Sequence, residues 1–546
     1  MKKLLLLLGM FMLTFNSFSQ KKLSSDYSYS VSAPYKVFDA GQKVYFSKGN
    51  EAIAIKLDGK EVLIQKFNTE KPSFIKEKKY EKFFPKNYSV EDVLEIGEKF
   101  YLFYSSWDGD NDKEQLFSVE IDFATGEFLT QKLMFQVDGK IAGTMTRSGG
   151  FMGGFSLSVQ DKFDIFRSYD KKNILVQYRK KPEVKNDKKS FDIIGLAAFD
   201  NMLNEISNRE VTMPYTERRM NNLDYQLDND GNLYLLVKVF HDDSNDDKKK
   251  KKDVVANYHL ELFLIKNGSV KIEISKFENK EKFITKLWIF DSSKDFLVCG
   301  GFYSNGKGDL DDSDGILAFK IDKSGKIYNE VYHDIPVSVL NQYESNKTKK
   351  KNEKKERKGE EAKFSDLELR DLFINEDGSL VLVGEQYFMK THTTTSMNGG
   401  VRTYFTFHYN DILVTKIGVN GELKWMNKIP KTQKGSRGQG GMSYKHFYAN
   451  NNHYLVFLDN VKNIDLPIDK IPAMHSDGQG GYLTAVKISD EDGVSKKASI
   501  FNGRELNDFQ MHQFSVDRIL KTSENSFMLE IYKKKKEDVM IKVTLK

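Results

Sequence analysis

Residues Ser379 to Trp425 read SLVLVGEQYFMKTHTTTSMNGGVRTYFTFHYNDILVTKIGVNGELKW. Apolar and polar side chains alternate through SLVLVGEQY and again from Ile412 to Ile417, which is the two-residue period of a strand with one buried face. The second run ends in Val-Asn-Gly-Glu, where Asn-Gly sets a tight turn into a further strand. Two strands joined by a long loop, then a turn and a third strand, is the economical reading. The same arrangement recurs along the chain, and that recurrence decides the fold.

Eight copies of the strand pair stand in order. They are KVYFS (43–47) with AIAIKL (52–57), FYLFYSS (100–106) with LFSVEID (116–122), and NILVQYR (173–179) with IIGLAAF (193–199). NLYLLVKVF (232–240) with YHLELFLI (258–265) and FLVCGGF (296–302) with ILAFKID (316–322) follow. The opening stretch is the sixth; HYLVFL (453–458) with YLTAVKI (482–488) and SFMLEIY (526–532) with VMIKVTL (539–545) complete the set. Asp230-Gly231 and Asp377-Gly378 sit just before a strand, as hairpin turns do, so each unit is a four-stranded meander.

One such unit cannot cover both of its faces, and stacking it beside its neighbours does. Four-stranded sheets repeated radially form a β-propeller, which also leaves only short sheet edges exposed. The expected fold is therefore all-β, a propeller of eight four-stranded blades, with seven as the alternative count. The last copy lacks residues for a fourth strand. SYSVSAPYKV (28–37) is expected to supply it and close the ring by pairing the two termini. Residues 20–546 are expected to form one domain. A charged, low-complexity insertion at about 344–364 interrupts it as a solvated helix or a disordered segment, because NKTKKKNEKKERKGEEAK (346–363) has no apolar side chain except Ala362.

The repeat unit, an apolar strand followed by DILVTKIGVNGELKW or GILAFKIDKSGKIYNE, resembles the blade repeat of secreted bacterial β-propeller proteins. Lys416, Gly421 and Trp425 match that pattern, as do Lys320, Asp322 and Gly325. The resemblance is to an architecture that carries hydrolases, lyases, lectin-like binders and scaffolds alike. It implies a fold and no particular activity.

Residues 1–19 read as an export signal. Lys2 and Lys3 start it, Leu4 to Phe15 form its apolar core, and Ser17 and Ser19 are the small residues before cleavage at Gln20. With no Cys at that site, a lipid-anchored form is not expected. The protein is expected to be exported, periplasmic or secreted from a Gram-negative type cell. The single Cys299 lies in an apolar strand and reads as a small buried hydrophobe. The net charge of +6 comes largely from the signal and from loops, and export excludes nucleic acid as the expected partner. No stretch after the signal is long and apolar enough to read as a transmembrane segment.

In such a ring, the loops between second and third strands and those between blades open on one face. Several there are lysine-rich: 179–190, 242–253 and Lys533 to Lys536. The loops of copies six and seven differ. FMKTHTTTSMNGGVRTYFTFHY (388–409), KGSRGQGG (434–441) and PAMHSDGQGG (472–481) should converge, offering Arg402, Tyr404, Arg437, His475 and Asp477 to a polar ligand. WDGDNDKE (107–114) and GDLDDSDG (308–315) invite calcium, yet neither meets the EF-hand pattern, so polar turns are the preferred reading. No zinc motif or nucleophile elbow occurs.

The expectation is a non-catalytic exported propeller that binds or scaffolds an extracytoplasmic glycan, peptide or envelope protein, with no catalytic residues and no cofactor. The alternative is a propeller-type hydrolase or lyase acting on extracellular polysaccharide.

Overall fold

Strand Leu233–Phe240 is buried along its whole length, and its two faces serve different neighbours. Leu233, Leu235, Val237 and Val239 pack into one apolar cluster with Leu175 and Leu196. Tyr234, Leu236 and Phe240 pack into another with Leu297 and Phe319. A strand covered on both faces reads as a continuous apolar run, and the two-residue period sends alternate side chains to opposite neighbours. Each fully buried aliphatic contributes roughly 1.5–3 kcal/mol, so these clusters supply most of the cohesion.

The computed structural model describes residues 23–59, 61–143, 162–182, 189–279, 282–395, 401–478, 480–506 and 509–546. The expected signal (1–19), the Gly-rich 149–156 and residues 183–188 of one lysine-rich loop lie outside them. The fold is all-β and propeller-like, built from sheets whose core is four antiparallel strands. Among the described residues the sheets follow one another at 42–81, 88–138, 141–216, 220–277, 283–334, 367–429, 445–502 and 519–545. They are numbered one to eight below. In the eighth, Glu537–Leu545 pairs with Tyr27–Val31 from the other end of the chain, Tyr27 opposite Leu545 and Val31 opposite Ile541.

Apolar clusters join each sheet to the next. Ile64 and Leu102 share a cluster between sheets one and two, and Phe103 and Phe199 share one between two and three. Leu382 and Phe302 share a cluster between five and six, Val383 and Leu455 between six and seven, and Val456 and Leu529 between seven and eight. Ala54 and Phe67 of the first sheet pack on Met528 and Met540 of the eighth.

A polar tie repeats beside these clusters. A long side chain from one sheet donates to a carbonyl in the next sheet's turn between third and fourth strands. Lys66 reaches Ala124 O (2.6 Å), Lys320 reaches Val419 O (3.1 Å) and Lys416 reaches Asp490 O (2.9 Å). Lys132 to Leu203 O and Arg209 to Lys266 O do the same. Lys542 of the eighth sheet reaches Glu70 O of the first at 3.2 Å. The lysine of the Lys-Ile repeat thus bonds one sheet to its neighbour. The turns it reaches are tight: Gly421 sits at φ +88°, where a Cβ would also meet Val331 Cγ1 at 2.5 Å.

One detail differs from the sequence expectation. In the first sheet, KVYFS and AIAIKL are the first and second strands, with Glu61–Asn68 third and Ser73–Glu81 fourth. In the other copies the quoted pair is the second and third. Alternation identifies a strand but does not fix its rank in the sheet. The charged insertion is ordered at its centre as helix Asn346–Arg357, capped by Ser345 accepting from Thr348 N, with no buried side chain. Lys363, just after it, pairs with Asp314 at 3.1 Å.

Cys299 is fully buried, and burial, with Asp224 nearby, pushes its thiol well above the ordinary range. No helix among the described residues is long and apolar enough to cross a membrane.

Candidate functional site

The sixth sheet outgrows the others. Its second and third strands, Leu380–Thr395 and Val401–Ile417, continue past the sheet as a two-stranded ribbon, paired from Tyr387↔Tyr409 out to Thr395↔Val401. A β-bulge between Glu385 and Tyr387 sets off the ribbon from the sheet below, as bulges do where a strand is re-aimed. Gln433–Gly435 pairs with the ribbon base at Phe407–Tyr409, and His475–Ser476 runs parallel to Gln433–Lys434. The three loops expected to converge therefore share one extended sheet.

They do not present their side chains alike. Arg402 and Tyr404 stand on the exposed outer ribbon, and Arg437 is exposed on its own loop. His475 is 4% exposed, its Nε2 has no hydrogen-bond partner, and burial lowers its basicity. Asp477 braces the glycine loop, accepting from Gly441 N at 2.9 Å. A Cβ on Gly440 would come within 2.3 Å of its carboxylate, so that glycine is needed for the close approach. Arg402 lies five residues beyond Phe407, the partner of Gly435, or roughly 17 Å along the strand. The five residues thus divide into an outer group that faces solvent and an inner pair that holds the loops.

Alternation splits the ribbon into two faces. One carries Phe388, Lys390, His392 and Thr394 opposite His408, Thr406, Tyr404 and Arg402. His392 stacks on Tyr404 (centroids 4.9 Å, 15°) and Phe388 on His408 (4.7 Å, 12°). Thr406 Oγ1 links the two imidazoles, 2.9 Å from His392 Nε2 and 3.2 Å from His408 Nε2. Burial, then the charges of Lys390, Lys434 and His392, lower the basicity of His408. The other face is mixed: Phe407 is buried with Tyr409 and Met442, while Met389, Phe405 and Val401 are exposed beside Thr391, Thr393 and Thr403.

A fully buried ion pair lies under the ribbon. Lys431 Nζ is 2.7 Å from Glu385 and donates to Tyr409 O and Gln433 Oε1, while Ser443 Oγ donates to the other Glu385 oxygen. Arg370, on the first strand of the sheet, lies 3.2 Å from Glu385 with its guanidinium over the rings of Tyr387 (5.2 Å) and Tyr409 (5.6 Å). Its buried Nη2 and the Tyr444 hydroxyl have no hydrogen-bond partner.

A second polar chain crosses from sheet six to sheet seven. Asp371 lies 2.5 Å from His446 Nδ1, His446 Nε2 lies 3.0 Å from His453 Nδ1, and His453 Nε2 lies 3.0 Å from Asp490. Lys416 closes it on Asp490 at 2.7 Å. Burial first, then His446, lowers His453 to about 4. A neutral His453 accepts at Nδ1 and donates from Nε2, which satisfies both neighbours.

Neither chain was foreseen from the sequence, although a signal exists. An aspartate followed by an apolar residue recurs in the first strands: Glu91-Asp92-Val93, Phe163-Asp164-Ile165, Leu223-Asp224-Tyr225 and Arg370-Asp371-Leu372. Asp224 accepts from Ile289 N of the next sheet at 2.9 Å, as Asp371 meets His446 of the next. At that rank, Asp224 and Asp371 both link one sheet to the next.

The acidic stretches form turns. Asp108 accepts from Asp110 N and Asn111 N, and Asp314 pairs with Lys363. Among the described residues no three His, Cys, Asp or Glu side chains are placed to hold a metal. Lysines in the basic loops also find partners within the chain: Lys248 donates to Gly306 O, and Lys533 pairs with Glu537 at 3.3 Å.

No family model matches the chain, and no curated protein matches it. Solved structures similar to it include a prolyl endopeptidase, at 11% identity and TM-score 0.37, over 93% of this chain and 55% of that one. This chain thus spans about half the length of that enzyme. A polysaccharide lyase is similar at 10% identity and TM-score 0.36, covering 98% of this chain and 94% of the other. An apocarotenoid oxygenase of Synechocystis follows at 8% identity and TM-score 0.32, over 71% of each. The likeness is too distant to bring any of their activities to this chain.

Proposed function

We propose that this protein is an exported propeller of eight blades, closed by its terminal strands, that binds an extracytoplasmic polymer or peptide on the sheet-six ribbon. The export signal at 1–19 and a periplasmic or secreted location belong to this proposal, as does a single domain from residue 20 onward. One observation carries the binding role. Arg402, Tyr404 and Phe405 sit exposed on a ribbon outside the inter-sheet core, and exposed rings and cations in this number favour contact with a partner. The test is a glycan and peptide array probed with the mature protein and with a variant whose residues 391–405 are replaced by Asn-Gly. Binding that survives the shortening removes the ribbon from the reading.

A second reading, a hydrolase or lyase acting on extracellular polysaccharide, is favoured by Arg370. Its Nη2 and the Tyr444 hydroxyl have no partner and sit beside the Glu385–Lys431 pair. Arginine and tyrosine in one place suit charge stabilisation and proton transfer on an acidic sugar. New reducing ends released from a polysaccharide panel, and lost in Arg370→Lys, would establish it.

A further inference from the structure

The ribbon's polar face has a chemistry that narrows its ligand. From Gln386 to Asn410 the chain contains no aspartate or glutamate, although Glu385 and Asp411 flank the stretch. Within this acid-free window stand Lys390 and Arg402, two histidines and a series of threonines. The two stacked pairs, His392 on Tyr404 and Phe388 on His408, lie in line on one face, with Lys390 between them and Arg402 beyond. Phe388 and His392 are four residues apart, or about 14 Å along the strand, which suits an extended ligand. Lys390 Nζ already lies over the Phe388 ring at 5.1 Å, so cation and ring share one surface.

We infer that this face binds a chain of acidic sugars, with Tyr404 and His392 stacking on a sugar ring, Arg402 and Lys390 meeting its carboxylates, and the exposed Thr394 meeting a hydroxyl. The inference rests on the binding role proposed above and names its ligand class. Three features converge. Flat rings accept the apolar face of a pyranose, and the guanidinium fork of arginine matches a carboxylate. With no carboxylate on the ribbon, nothing there repels a polyanion. A neutral glycan would leave both cations unused, and a folded protein partner would be expected to use the exposed Met389, Phe405 and Val401 of the other face instead.

The experiment is affinity electrophoresis of the mature protein through polygalacturonate, its fully methyl-esterified form and neutral dextran, beside the peptide array above. Retardation by polygalacturonate alone is expected. Tyr404→Ala and Arg402→Ala should each weaken it by about tenfold, with Tyr404→Phe close to wild type because stacking needs the ring and not the hydroxyl. Replacing Lys250, Lys251 and Lys252 by serine should leave it unchanged, which separates the ribbon from general basicity. Equal retardation by the esterified polymer would overturn the acidic-sugar assignment while leaving a glycan-binding role standing. Polygalacturonate binding that survives both ribbon variants, or that the loop variant abolishes, would overturn the site. Binding to no glycan and no peptide would overturn this inference and the binding role together.

Discussion

The seam between the first and eighth sheets offers a sharp test, because it joins the two ends of the chain through charges that have left water. Glu530 is fully buried and takes three partners from the first sheet: Lys43 at 2.8 Å, Lys56 at 2.7 Å and the Tyr45 hydroxyl at 2.8 Å. Burial opposes its charge, but Lys56 and Lys43 win and hold the carboxyl far below the ordinary range. Asp538 sits farther from the same lysines, at 3.5 and 3.7 Å, and burial, then the charge of Glu530, pushes it up. Glu530→Gln removes the counter-charge from two buried ammonium groups. Breaking a buried pair in this way costs about 3–5 kcal/mol, and the low end applies if Asp538 ionises in compensation. Asp538→Asn should behave in the opposite way. A carboxyl whose pKa is raised on folding contributes stability that is complete below the ordinary aspartate range and is lost as pH rises through the raised value. The asparagine variant should therefore exceed wild type by a margin that grows from about pH 5 to about pH 8. Urea denaturation of both variants at about pH 5 and about pH 8 measures this, and proteolysis of the Tyr27–Val31 strand reports whether the seam has opened. A Glu530→Gln loss under about 1 kcal/mol, or an Asp538→Asn protein weaker at the higher pH, would refute the account.

Three further expectations follow from single contacts. His453 is held at about 4 against 6.5 ordinarily, so stability should be complete above the ordinary value and fall as pH drops towards 4; the loss should be on the order of 3 kcal/mol, and His453→Gln should flatten that slope in denaturation at graded pH. A Cβ at Gly301 would lie 2.0 Å from Lys286 O and 2.8 Å from Leu287 Cα. Gly301→Ala should cost about 3 kcal/mol by forcing two strands apart, read as a lower urea midpoint, whereas Gly49→Ala, with open space but φ +60°, should cost about 1 kcal/mol. Replacing 391–405 by Asn-Gly should leave the thermal midpoint nearly unchanged, because Met389, Val401, Tyr404 and Phe405 are exposed; a large drop would mean that the ribbon is part of the core.

The strands were legible in the sequence because their signal is local. Leu233 to Phe240 is apolar at nearly every position, Asn420-Gly421 and Asp377-Gly378 turn where a left-handed glycine is required, and the copies repeat. The pairing of Tyr27–Val31 with the last strand could be anticipated by counting, since the eighth copy was one strand short. The rank of each strand was not legible in the first copy, because period two is the same for an inner and an outer strand. Nor was the separation of Arg402 and Tyr404, in solvent, from His475 and Asp477, which hold loops.

By itself, the sequence determined the all-β class and the turns, because those depend on neighbours along the chain. Only the tertiary structure decided that Lys416 bonds to the next sheet, that Asp371, His446, His453 and Asp490 form one chain, and that Glu385 shares Lys431 with no water between. Apart from His446 and His453, those partners are 37 to 75 residues apart. Burial fixes their charge states, and burial is a property of the packed sheets that no local pattern of residues carries.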